Sequence, residues 1–76
     1  MICFLRIGDD YLDDATRCPS IAYAKAEFAA AAAALGRYGQ RIEASIHIAA
    51  SKDELAEYPD YVLSLGPRGG IRMERT

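Results

Sequence analysis

From Ile42 to Ala49 the chain keeps a strict period of two: Ile42, Ala44, Ile46 and Ile48 hold one parity, and Glu43, Ser45, His47 and Ala49 hold the other. A pleated strand sends successive side chains to opposite faces, so this spacing predicts a strand over Arg41 to Ala49. One apolar parity implies a sheet covered on one side, the usual state of an antiparallel sheet. The isoleucines belong in the core, and Glu43, Ser45 and His47 are expected to face water.

The remaining elements are laid out around that strand. Ile2 to Ile7 has the same period, with Cys3, Leu5 and Ile7 on one face and Phe4 and Arg6 on the other. Asp9, Asp10, Tyr11, Leu12, Asp13 and Asp14 then break the pattern as an acidic loop. Thr16 to Tyr23 is expected to return as an edge strand, since Pro19 cannot donate to a ladder. Ala24 to Leu35 is rich in alanine, the best helix former, and Gly36 suits the position just past a helix end. Phe28, Ala31 (or Ala32) and Leu35 recur at helical spacing and form its expected buried stripe. The other helix faces carry mostly alanine, which lets a backbone lie close to a sheet or leaves a flat face open to another protein.

After the central strand, Ser51 and Glu54 have the spacing of a capping box, which predicts a short helix reaching Tyr58 and stopping at Pro59. Tyr61 to Leu65 and Ile71 to Glu74 read as two more strands, joined by the glycine-rich hairpin of residues 66–70. Of the two tyrosines beside Pro59, Tyr61 is assigned to the core and Tyr58 to the surface. The predicted class is α+β: an antiparallel or mixed sheet of about five strands with one main helix on one face, in the order β-β-α-β-(short α)-β-β.

Size and charge narrow the function. Seventy-six residues make a single domain, 1–76, whose thin core leaves little room for an enclosed pocket. No apolar run approaches the roughly 20 residues needed to cross a bilayer, and the N-terminus lacks a secretion signal, so the expected location is the cytoplasm. Cys3 and Cys18 form no metal motif; a disulfide between them suits an oxidising compartment and two buried thiols suit the cytosol. The net charge is −2, but residues 1–16 sum to −3 and residues 66–76 to +2. A mildly acidic chain without a basic stripe is poorly suited to duplex DNA, where affinity comes from neutralising phosphates.

No residue set announces catalysis. His47 is the only histidine, and neither cysteine sits in an activating motif. The four aspartates lack the glycine and the terminal glutamate of an EF-hand loop. The 66–70 loop lacks the ending of a P-loop and leads into a strand. No enzyme activity, metal or cofactor is therefore expected. The residues assigned to partner binding are Asp9, Asp10, Tyr11, Asp13, Asp14 and Tyr58. Arg37, Tyr38, Arg41, Arg68, Arg72 and Arg75 offer a rival surface of arginine and aromatic groups for single-stranded nucleic acid.

Residues 37–76, RYGQRIEASIHIAASKDELAEYPDYVLSLGPRGGIRMERT, resemble small proteins carried by phages and mobile elements of proteobacteria. The design of a tiny α+β domain with an acidic loop is similar to anti-CRISPR proteins. That resemblance implies a stoichiometric inhibitor that binds a CRISPR effector complex and blocks nucleic-acid or nuclease engagement. Such effectors hold nucleic acid in positively charged channels, where the aspartates can stand in for phosphates. The expected partner is a protein with a basic surface, with neither free nucleic acid nor membrane. The alternatives are another protein-interaction or regulatory module, including a homodimer, and a nucleic-acid-binding domain.

Overall fold

The computed structural model describes residues 2–8, 11–36, 42–66 and 70–76, without the side chains of Asp13 and Leu35. Five strands, β1 (Ile2–Ile7), β2 (Thr16–Cys18), β3 (Glu43–Ala49), β4 (Tyr61–Leu65) and β5 (Ile71–Arg75), form one sheet in the order β2-β1-β3-β4-β5. Every neighbouring pair is antiparallel, so of the two sheet types expected it is the antiparallel one that forms. The one α-helix among the described residues, α1 (Ile21–Gly36), links edge strand β2 to central strand β3 and passes over β1 between them.

Helix α1 begins three residues before its expected start, and the edge strand is correspondingly short. Pro19 ends β2 after Cys18, and Ser20 then caps the helix: its Oγ accepts the Tyr23 N–H at 3.1 Å. The segment Ile21–Tyr23, expected in a strand, is therefore the first turn of the helix. Ala24, Phe28 and Ala32 form the buried stripe, with Ala31 and Ile21 partly buried beside it. Leu35, expected in the same stripe, has a side chain outside those described.

Beneath the helix lies the main core: Leu5 from β1, Cys18 from β2, Ala44 and Ile46 from β3, and Leu63 from β4. Ile42 joins it just before β3, and Ile48 and Tyr61 pack at its margin, as the alternation predicts. Gly8 ends β1 with φ of +62°, a left-handed conformation that glycine adopts without a Cβ penalty. Its N–H donates to the Glu43 carbonyl at 2.7 Å as the chain turns toward the acidic segment.

Two expectations fail on the opposite face of the sheet. Ser45 and His47 are buried, not solvated, with His47 only 1% exposed; Glu43 alone of the three faces water. The strand register is as expected, because Ile46 is fully buried on the helix side. What differs is that residues 50–60 fold back across the second face. The short helix predicted there is a single 3-10 turn, Lys52–Glu54, and Ser51 makes no side-chain cap. Leu55 leaves the turn in an extended conformation and packs toward a second small core of Phe4, Ala15 and Ala49, joined by Ile2. Burying Leu55 there is favoured over continuing a turn that has no buried residue.

The last hairpin forms as expected, with Leu63 opposite Met73 and Leu65 opposite Ile71, and β5 runs one residue further, to Arg75. Gly66 N–H donates to the Gly70 carbonyl at 2.6 Å; residues 67–69 between them lie outside the described part. No helix among the described residues is long and apolar enough to cross a membrane.

Candidate functional site

The second face of the sheet places two predicted interaction segments together. Ala15, at the end of the acidic segment, and Leu55, from the 50–60 crossing, contribute to the same small core around Phe4 and Ala49. On the first segment, Leu12–Asp14 is a 3-10 turn, with the Asp14 N–H donating to the Tyr11 carbonyl at 2.9 Å. Tyr11 is 81% exposed and Asp14 is exposed. Asp9 and Asp10 lie outside the described residues, as does the side chain of Asp13.

Tyr58, on the second segment, is 88% exposed, as expected. The backbone on both sides of it is pinned. The Ala56 carbonyl accepts a 2.8 Å hydrogen bond from His47 Nδ1, and Glu57 approaches Arg6 of β1 at 3.6 Å. The Pro59 carbonyl accepts from Thr76 Oγ1. The Asp60 N–H donates to the Ile46 carbonyl at 2.8 Å, while its Oδ2 accepts the Ile48 N–H at 2.7 Å. Asp60 thereby satisfies a strand N–H that lies beyond the end of β4. Tyr58 is a large side chain held out from an anchored loop.

The anchor rests on a buried polar chain that sequence reasoning missed. A carbonyl can only accept, so His47 Nδ1 carries the proton in its bond to Ala56. In the neutral ring Nε2 is then an acceptor, and the Ser45 hydroxyl donates to it across 2.9 Å. Arg6 Nε donates in turn to Ser45 Oγ at 3.3 Å. Burial pushes the His47 pKa below its ordinary value of 6.5, and the Arg6 charge acts in the same direction. The Ala56 hydrogen bond and the Asp60 and Glu57 charges oppose the shift without reversing it. The only sequence signal for this cluster was three polar residues of one parity, Ser45 and His47 on β3 and Arg6 on β1.

A serine hydroxyl donating to an imidazole has the polarity of a nucleophile and its base. Both residues lie beneath residues 55–60, however, and the orienting partner of the imidazole is a carbonyl, not a carboxylate. A substrate would have to displace the anchored loop to reach Ser45. The arrangement fastens a loop to a sheet.

Acidic groups collect on these two segments. Four of the eleven acidic residues of the chain lie in 9–14, and four more, Asp53, Glu54, Glu57 and Asp60, are exposed in 51–60. Lys52 is the only basic residue within them. The sequence suggested the first group, of which the structure describes the side chain of Asp14; the second lies on the segment that crosses the second face of the sheet. Of the rival basic surface, Arg37, Tyr38, Arg41 and Arg68 lie outside the described residues. Arg72 and Arg75 are exposed on β5 at opposite parity, so they leave the sheet on different faces.

Among the described residues no group of three or more metal-binding side chains converges. No protein-family model, curated protein or solved structure matches this chain.

Proposed function

We propose that the chain is a non-enzymatic inhibitor of the anti-CRISPR type, which binds a basic surface of a CRISPR effector complex and blocks nucleic-acid or nuclease engagement. The observation that carries this reading is Tyr58, almost fully exposed on a loop anchored at both sides, with Glu57 and Asp60 near it in sequence. A loop whose backbone is already held loses little entropy on docking, so the tyrosine it displays makes a favourable anchor. The acidic residues of both segments supply charge complementary to a channel that normally holds nucleic acid. Asp9, Asp10, Tyr11, Asp13, Asp14 and Tyr58 are the binding residues in this proposal.

The test uses purified RNA-guided effector complexes in a target-DNA mobility shift, with the wild-type chain added at equal concentration. The expected result is loss of target binding or cleavage, reversed by Tyr58→Ala or by replacing the four aspartates with Asn. Effector complexes that neither bind the chain nor lose activity would refute the proposal. The chain alone is expected not to shift free DNA or RNA at physiological salt; tight, salt-sensitive binding would favour the arginine surface instead.

One observation favours a second reading, a module that pairs with another protein or a second copy of itself. The outer face of α1 exposes Ala22, Ala26, Ala29, Ala30, Ala33 and Ala34 beside a half-exposed Tyr23, and Glu27 is its only exposed charge. Ala30→Arg would then abolish the complex, while the aspartate substitutions would leave it intact.

A further inference from the structure

Cys3 and Cys18 are directly opposite each other on neighbouring antiparallel strands, a pairing that does not follow from their spacing in sequence. Both are free thiols on the helix side of the sheet; Cys18 is buried and Cys3 partly exposed. Because Gly8 donates its N–H to β3, the even residues of β1 direct their backbone groups toward β3 and the odd ones toward β2. The Cys3–Cys18 rung is therefore a hydrogen-bonded pair, with Cα atoms about 5.5 Å apart. That spacing lies inside the disulfide range of about 4.4–6.8 Å. Facing Cβ atoms, at about 4.5–5.5 Å, sit farther apart than the roughly 3.5–4.5 Å of a relaxed bridge. Cys18 Sγ leans along its strand toward the Thr16 carbonyl, 3.5 Å away, and must rotate about χ1 to reach Cys3. A bridge here can form, and its strain keeps it reducible.

We propose that Cys3 and Cys18 form a redox-convertible dithiol that is oxidised by a low-molecular-weight disulfide of the glutathione type. The Cys3 thiolate attacks one sulfur of the oxidised glutathione; that S–S bond breaks, and one glutathione leaves as a thiolate and takes up a proton. Cys18 then loses its proton to water and attacks Cys3 Sγ, expelling the second glutathione. Two protein thiols are oxidised to one disulfide, and one glutathione disulfide is reduced to two thiols. Exposure assigns the first attack to Cys3. Burial pushes the Cys18 thiol up, with Glu27 and Cys3 adding to the shift, so its attack is the slow step. The product ties the three-residue edge strand β2 to β1 and closes the hairpin that carries the acidic segment. This chemistry stands whether or not the chain is an inhibitor.

The test is an oxidation series on the full, reduced chain in mixtures of reduced and oxidised glutathione, quenched with acid, alkylated with maleimide and read by intact mass. The expected product is a monomer lacking two hydrogens that takes up no maleimide and returns to the dithiol in excess reduced glutathione. A transient single glutathione adduct on Cys3 precedes it, and bridge formation speeds up about tenfold per pH unit while the thiolate of Cys18 is scarce. Cys18→Ser should stop at the Cys3 adduct, and Cys3→Ser should take up no glutathione while folded. If either variant fails to fold by circular dichroism, the wild-type time course still decides. A persistent wild-type Cys3 adduct with Cys18 free, a dimer linked between chains, or no reaction in the folded state would overturn the proposal.

Discussion

Ser45 Oγ and His47 Nε2 meet at 2.9 Å on the buried second face of β3, and the opposite nitrogen of the same ring holds the Ala56 carbonyl at 2.8 Å. One imidazole thus joins the sheet to the loop that displays Tyr58; the Ala56 bond favours the protonated ring, and it is burial that holds the ring neutral.

Stability should accordingly fall with acid in a window set by His47. Its folded pKa is lowered, chiefly by burial, whereas the unfolded ring titrates near 6.5. Below that value the unfolded chain binds more protons than the folded one, so stability is fully present above 6.5 and is lost as pH falls toward the folded pKa. Urea midpoints should be flat near about pH 7.5 and decline between about pH 6.5 and 5, before the carboxylates titrate. His47→Gln should remove most of that slope. An unchanged slope in the variant would assign it to other groups.

Ser45→Ala should destabilise by about 1–2 kcal/mol, because it leaves the buried Nε2 without its donor. A double-mutant cycle with His47→Gln, read by chemical denaturation, should give clearly non-additive costs. Additive costs would mean that the two side chains do not depend on each other.

On the helix side, Ile46→Ala should cost on the order of 2–4 kcal/mol and Phe28→Ala about 3–5 kcal/mol, since both are fully buried in the main core. Thermal or urea unfolding of each variant measures this directly. For a chain of this size either loss takes a large share of the total stability.

Replacing Asp9, Asp10, Asp13 and Asp14 with Asn should separate folding from binding. Like charges this close in sequence repel, so the melting temperature should stay the same or rise, with a gain of no more than about half a kcal/mol of stability. Affinity for a basic partner should fall at least about tenfold, mainly through slower association. Calorimetry and surface plasmon resonance on the same samples would read the two effects. A large fall in melting temperature would instead give the acidic segment a role in the fold.

The sequence by itself determined the elements and their inner faces. The parity of Ile42, Ala44, Ile46 and Ile48, the alanine-rich helix with Phe28 inward, and the hairpin of β4 and β5 follow from periods of 2 and 3.6 and from turn chemistry, which are local properties. Only the tertiary structure decided the fate of the other parity. Whether Ser45 and His47 meet water depends on where residues 50–60 travel, and that path is set by Leu55 reaching Phe4 and Ala49 and by Asp60 capping Ile48. The capping-box spacing at Ser51 and Glu54 was a local signal for a helix, and distant apolar burial overrode it. The facing of Cys3 and Cys18 was likewise invisible in a fifteen-residue separation, because strand register is a relation between segments and not a property of either one.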